Sequence, residues 1–292
     1  SVKNGKWQDV VANTEITFGG ENGDLRLRGT NPYGTANHLG DYSNITFTKD
    51  APVACTGDIR TLLDWRNYST VDTQKAKFCN LFRGCTSLTA APELKATTLA
   101  DYCYSSMFLG CTSLTAAPEL KATTLASDCY SSMFQGCKSL TAAPELKATT
   151  LADYCYSNMF YGCTSLTAAP ELPATKLADY CYQQMFYRCT SLTAAPELKA
   201  TTLAISCYSI MFYGCTKLST VTMLAPSDQI SKASDCCYKW LYNAGTDETV
   251  SSRTLKVQDA AAYTALEGDL PDIWAKGTVG TTVKKEDNTV IE

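Results

Sequence analysis

CTSLTAAPELKATTLADYCYSSMFLG, from Cys85 to Gly110, is the clearest copy of a 26-residue unit that recurs almost verbatim as far as Gly214. Cysteine reopens the unit at Cys111, Cys137, Cys163, Cys189 and Cys215 without slippage, so every copy must do the same structural job. A fixed period of this size predicts a solenoid in which each copy is one coil stacked on the last. A second cysteine column is read at Cys103, Cys129, Cys155, Cys181, Cys207 and Cys237.

Inside one unit, Leu88, Leu94 and Leu99 recur with the cysteines and are expected to line the interior. SLTAAPEL reads as a brief strand over 88–91 that stops before Pro92, which has no N–H to give to a ladder. From Leu99 the spacing changes, because Leu99, Cys103 and Met107 fall at i, i+4 and i+8 with Tyr104 and Phe108 beside them. That is helical periodicity. The expectation is a short helix capped by Asp101 and ended by Gly110 in the left-handed conformation.

The flanks are different material. EITF, DLRLRG and ITFTK alternate as strands with Gly and Asn turns between them, giving a small N-terminal β domain over 1–61 that caps the first coil. The opening SVKNGKW has no initiator Met and reads as a trimmed terminus. The solenoid is expected over 62–245, its first coil degraded, since one face of a terminal coil has no neighbour. TLKVQDAAAYTALEGDLPDIWAKGTV reads as strand, helix capped by Asp259 and closing strand, a C-terminal cap over 246–292.

The phrase MFxGCTSLTxAPEL, as in Met107, Phe108, Gly110, Cys111, Ser113 and Leu114, resembles the BspA-like leucine-rich repeats of cell-surface proteins from gut and oral anaerobes. The likeness covers about residues 76 to 245, and DLRLRGTNPYG followed by ITFTKD and GDIRTLLDW is similar to that family's N-terminal region. It implies an α/β solenoid, a right-handed leucine-rich-repeat superhelix, in an exported, non-enzymatic bacterial protein that is extracellular or on the cell surface. The expected activity is adhesion to a host extracellular protein or mucosal glycan.

Charge narrows the partners. With 25 basic against 29 acidic residues the net charge is -4, which supplies no positive field for nucleic acid or anionic lipid. No apolar run reaches the roughly 20 residues of a membrane span. Fifteen cysteines would suggest disulfides or metal, but parallel column neighbours point the same way, not toward each other. They are read as buried free thiols, with a bridge expected, if anywhere, among Cys55, Cys79, Cys236 and Cys237. On that reading Cys137→Ser would bury an unpaired hydroxyl.

Chemistry has little to work with. His38 is the only histidine, in a polar loop, so no Ser/His/Asp or Cys/His arrangement can be built in the repeats. The glutamate column Glu93, Glu119, Glu145, Glu171 and Glu197 gives each carboxylate nearly the same surroundings, whereas a glycosidase needs two different ones. It is read as solvated and offset by Lys95, Lys121, Lys147 and Lys199. No cofactor, metal site or phosphate loop is assigned. The tyrosines from Tyr104 to Tyr208 are expected between coils with their hydroxyls reaching water.

Variation between copies points outward. The residue after the Met-Phe pair runs Leu109, Gln135, Tyr161, Tyr187, Tyr213, and two before the pair the series is Ser105, Ser131, Ser157, Gln183, Ser209. Both columns are read as exposed. Tyr161, Tyr187 and Tyr213 would form an aromatic stripe, with Arg188 replacing a glycine beside it, as a candidate ligand patch. The alternative is carbohydrate capture by the N-terminal domain, with Trp7, Trp65, Tyr33 and Tyr42 stacking on sugars and the solenoid as a spacer.

Overall fold

In the computed structural model, residues 7–11, 13–48 and 51–291 are described. The opening residues and Lys49 with Asp50 of ITFTKD, both used in the sequence reading, lie outside them.

Each copy stacks on the next at the 26-residue offset, forming a repeat stack. The rungs are joined by backbone bonds from one coil to the following one: Tyr102, Tyr104, Ser106, Phe108 and Gly110 donate their N–H groups to the carbonyls of Ser127, Cys129, Ser131, Met133 and Gln135 at 2.7 to 3.0 Å. The intervening N–H groups of Cys103, Ser105, Met107, Leu109 and Cys111 close three-residue turns within the coil, on Ala100, Tyr102, Tyr104, Ser106 and Phe108. Donors therefore alternate between the coil and its neighbour, and none is left over.

This arrangement replaces the expected helix. Residues 101–110 and their equivalents are consecutive turns, with a left-handed residue at every fourth position: Tyr102 (φ 62°), Ser106 (φ 55°) and Gly110 (φ 75°) in this copy. A four-residue turn repeat puts Leu99, Cys103 and Met107 on the inner side as a helix would, so spacing alone did not separate the two. An α-helix would also spend every N–H internally and leave none to join the coils. Asp101 accordingly caps no helix; its Oδ1 accepts the N–H of Ser127 in the next coil at 3.1 Å, as Asp153 does from Asp179 and Asp179 from Ile205.

Opposite the turns the coils run extended. β4 (Leu88–Ala90) pairs in parallel with β3 (Val53–Ala54), and single parallel bridges join Ala90 to Ala116 and Ala142 to Ala168. The strand is regular in β5 (Ala194–Leu198), β6 (Thr220–Met223), β7 (Arg253–Val257) and β8 (Thr281–Lys284), which form one parallel sheet in that order. Pro196 sits inside β5, contrary to the expectation that the proline ends the strand. The register slips between Ala194 and Glu197, which absorbs its missing N–H.

The interior is a set of ladders. The leucine, methionine and cysteine columns are buried, with only Leu151 among them half-buried. Phe82, Phe108, Phe134, Phe160, Phe186 and Phe212 stack at 5.6 to 5.8 Å. Phe78 and the column from Tyr104 to Tyr208 stack at 5.7 to 6.0 Å. These tyrosines are 1 to 2% exposed. The Tyr104 and Tyr182 hydroxyls are enclosed and do not reach water as expected, and burial holds the whole column well above the usual phenol range.

All fifteen cysteines are free, including Cys55, Cys79, Cys236 and Cys237, where a bridge was expected. The opening column does more than fill space. Cys111, Cys137, Cys163, Cys189 and Cys215 each donate a thiol to the carbonyl of Phe82, Phe108, Phe134, Phe160 and Phe186 in the coil before, at 3.0 to 3.2 Å. Burial pushes Cys103, Cys155 and Cys163 up to about 12, so these three form no reactive thiolate near neutral pH.

At the N-terminal end, EITF, DLRLRG and ITFT form no strands; Gly29 of the second bonds with Thr61 and Trp65, and Ile45 of the third with the first coil. Thr35, Ile45, Val53, Cys55 and Ile59 donate to Lys77, Leu81, Ser87, Ala90 and Glu93, so 33–48 and 51–59 lie along the first coil. The short strands β1 (Ala36–His38) and β2 (Asp41–Tyr42) make a hairpin on it. Gly34 (φ 88°) permits the approach, since a Cβ there would lie 2.2 Å from the Lys77 carbonyl.

At the other end Tyr208 donates to Cys236 and Phe212 to Trp240. Cys236 therefore occupies the second cysteine column, in place of Cys237 as expected. It lies 29 residues after Cys207, the excess being taken up by α1 (Ser227–Lys232). As expected, β7 leads into α2 (Ala260–Leu266), whose first turn is capped by Asp259 Oδ1 from the Ala262 N–H at 2.8 Å.

Because its Oγ would face the Phe108 carbonyl, Cys137→Ser should cost only about 1 kcal/mol, and Cys137→Ala, which loses donor and volume, about 2 kcal/mol. Urea unfolding measures both, and iodoacetamide should label few thiols before unfolding and all fifteen after it without reductant. Ile210 (φ 58°) is a β-branched residue held left-handed where another copy has Asn158. Ile210→Asn should raise stability by about 1 kcal/mol, read as a higher Tm.

Candidate binding surface

The turn string has an outer side, and its occupants differ from copy to copy. Tyr161 stacks on Tyr187 with ring centroids 4.4 Å apart, Tyr187 on Tyr213 at 4.9 Å, and Tyr213 on Tyr242 at 5.0 Å. The stripe singled out in the sequence is thus brought together and extended by one ring. Tyr242 was missed because the insertion carrying α1 moves it out of the 26-residue count. A second stack, Tyr154 on Tyr180 at 4.5 Å, stands on the same two central coils.

Two cations accompany the ribbon. The Arg188 guanidinium lies 5.4 Å from the Tyr187 ring centroid. Lys239 lies 5.1 Å from that of Tyr238 and 5.9 Å from that of Tyr242. Among the described residues neither has a carboxylate within ion-pair distance. Arg188 adopts φ 56° where four other copies carry glycine, and a Cβ on Gly214 would meet its Cγ at 3.1 Å, so its side chain runs over the next coil toward Tyr213.

The stacking geometry decides what the ribbon can do. Each inner ring has both faces covered by neighbours, leaving edges and hydroxyls outward. Sugars pack on open aromatic faces, so the ribbon is poorly suited to that mode; it offers polar edges, low side-chain entropy and two unpaired cations.

The other sequence candidates separate. Ser105, Ser157 and Ser209 are buried rather than exposed, because their position faces into the turns; Ser105 Oγ donates to the Ser131 carbonyl at 3.2 Å. The variable outer position is the next one: Ser106, Ser132, Asn158, Gln184, Ile210. Trp7 and Trp65 come together, but around Arg28, whose guanidinium lies 3.8 and 4.0 Å from their ring centroids. Tyr33, 55% exposed, lines a separate cleft of about 350 Å³ with Asn37, Gln74, Lys75 and Asp101. Tyr42, on β2, lines neither.

The glutamates are exposed; Glu93, Glu119 and Glu145 pair with lysines, Lys147 bridging Glu119 at 3.0 Å and Glu145 at 3.4 Å. Among the described residues Glu171 and Glu197 have no lysine within ion-pair distance, contrary to the expected pairing with Lys199. His38 is exposed, its Nδ1 accepting the Gly40 N–H at 3.0 Å. Among the described residues no group of three or more His, Cys, Asp or Glu could hold a metal ion, and no helix is long and apolar enough to cross a membrane. Compared with known proteins, the chain matches no family model, no curated protein and no solved structure.

Beside Tyr154 the outer face turns acidic. Burial, then the charges of Asp101 and Asp153, push the Asp128 carboxyl up to about 6. A raised carboxyl binds its proton more tightly folded than unfolded, so its stabilising contribution is full below about pH 4 and is lost as pH rises through about 6. Asp128→Asn, which suits the left-handed backbone at φ 55°, should therefore stabilise by about 1 kcal/mol at pH 7.5 after allowance for solvent screening, and by nothing at pH 3.5. Tm measured against pH for both proteins tests the sign.

Proposed function

We propose that this chain is a non-enzymatic binding module, an adhesion protein of the BspA-like leucine-rich-repeat type, whose coils form a right-handed superhelix displayed outside the cell. The observation that carries the reading is the ribbon Tyr161, Tyr187, Tyr213 and Tyr242 with Arg188 and Lys239. The half-buried rings of Tyr161, Tyr187 and Tyr213 stack on one another along the outer side of the coils, at a position where two other copies carry Leu109 and Gln135. In this reading 1–61 and 246–292 close the ends of a 62–245 solenoid, and recognition belongs to the outer face of its central and C-terminal coils.

Its composition favours a host extracellular protein over a glycan. Aromatic and arginine anchors dominate protein interfaces, and covered ring faces remove the usual means of holding sugar. Two cations on a chain of net charge -4 suit a partner carrying a few surface carboxylates, and are too few for nucleic acid or another polyanion. The carbohydrate alternative keeps one support, the open ring of Tyr33 beside Asn37, Gln74 and Asp101.

Binding of the intact protein to extracellular-matrix proteins, mucins and plant polysaccharides tests the reading. The double variant Tyr187→Ala, Tyr213→Ala should weaken capture by about 2 kcal/mol or more. Arg188→Gly should weaken it too while leaving Tm unchanged or higher, since glycine accepts the left-handed backbone. Binding that ignores these changes and disappears in Tyr33→Ala would move recognition to the N-terminal cleft.

A further inference from the structure

The first coil needs a cover, and the cover leaves a void. Segments 24–28 and 53–62 pass over Phe82 and Pro92, at the N-terminal end of the stacked core, and line with them a cavity of about 800 Å³. Its lining is mainly apolar, with Phe18, Leu25, Ile45, Phe47, Leu62 and Phe82 in it, and carries the charged Asp24, Arg26, Arg28 and Asp58. Ile45, Phe47 and Leu62 pack against the core yet remain only partly buried. A concave, mainly apolar space of several hundred Å³ with a few fixed polar groups is the form that small-molecule sites take.

The polar groups indicate the head of such a molecule. Asp58 lines the cavity, but its carboxylate is committed to Arg60 at 2.7 Å and to the Arg60 N–H. Arg28 is different. Its guanidinium is clamped between the indoles of Trp7 and Trp65, and among the described residues no carboxylate lies within ion-pair distance of it. An arginine fixed on aromatic faces keeps its in-plane N–H donors free to take a carboxylate in a bidentate pair. The same clamp covers a face of each of the two tryptophans that sugar stacking would use.

We propose that this cavity binds an aliphatic monocarboxylate, with the chain against Ile45, Phe47, Leu62 and Phe82 and the carboxylate on Arg28. Binding is reversible and involves no covalent step. The site is separate from the tyrosine ribbon, and neither depends on the other.

Decanoate and its uncharged counterpart decan-1-ol, titrated below their aggregation limits into the full chain, provide the test. Calorimetry gives the stoichiometry, and tryptophan emission reports on Trp7 and Trp65, since Trp240 and Trp274 are buried elsewhere. The expected result is one saturable decanoate site per chain. Arg28→Gln should weaken decanoate about tenfold and leave decanol within about twofold, because only the charged contact is lost. Val53→Trp, which fills the cavity, should abolish both; Leu27→Trp, on the more exposed wall, serves if that variant does not fold. Absence of saturable decanoate binding, or binding retained by a filled variant that melts like the parent protein, overturns the site. Equal effects of Arg28→Gln on both probes overturn the role of Arg28.

Discussion

Half of the backbone N–H groups in the turn string point out of their own coil, and the stack exists because the next coil has a carbonyl waiting for each of them. Tyr102, Tyr104, Ser106, Phe108 and Gly110 can donate across only because Cys103, Ser105, Met107, Leu109 and Cys111 close the turns between. The alternation needs a left-handed residue at every fourth position. A single inserted residue would exchange the two donor sets and turn the Met and Cys columns outward. That is why copies from Cys85 to Gly214 keep one length, and why the one change of length falls where α1 can loop out before the ladder resumes at Ser234.

The columns follow from the ladder. Identical residues one coil apart are related by nearly pure translation, so planar rings must stack, and they do so with interplanar angles of 2 to 11° in both buried columns. Cysteine suits the opening position for a directional reason as well as a steric one. A Phe108 carbonyl already bonded to the Cys111 N–H has a second lone pair, and the Cys137 thiol is short enough to reach it without leaving the core. Valine or alanine would fill part of the space and leave that lone pair unmet.

What the sequence revealed, and what it hid, follows the same physics. Inner columns were legible because translation repeats them without variation. The turn string was not, since its four-residue period coincides with helical i, i+4 spacing. Its distinguishing mark, a turn-forming residue at every fourth place, is visible in Asn80 and Gly84 or Asn158 and Gly162 and obscured by Tyr102, Gln184 and Lys239 in the same backbone state. The N-terminal segments were recognisably extended, but the partners of Thr35, Ile45, Val53, Cys55 and Ile59 stand 34 to 42 residues further on in the first coil, and alternation along a strand says nothing about which strand it meets. On the candidate surface, Tyr161, Tyr187, Tyr213 and Arg188 could be picked out by variation between copies. The pairing of Trp7 and Trp65 through Arg28 could not, because it depends on how two distant segments cross.

Those left-handed positions also explain why the outer face varies as it does. A tyrosine, isoleucine or arginine held at positive φ costs of order 1 to 2 kcal/mol, and no isolated turn would hold it there. Here each such residue donates across the gap, as Tyr180 does to Ile205, Ile210 to Tyr238 and Arg188 to Tyr213, and it sits between turns whose own bonds are fixed. The ladder over-determines the backbone, so local propensity stops mattering at these sites. Side chains there are free to change without moving the coil, whereas a change in the Leu, Cys, Met or Phe columns must be accommodated by a neighbour on each side. A stack built this way separates the residues that hold it together from those it displays, and the displayed ones cluster as tyrosine, amide and unpaired cation on the central and C-terminal coils.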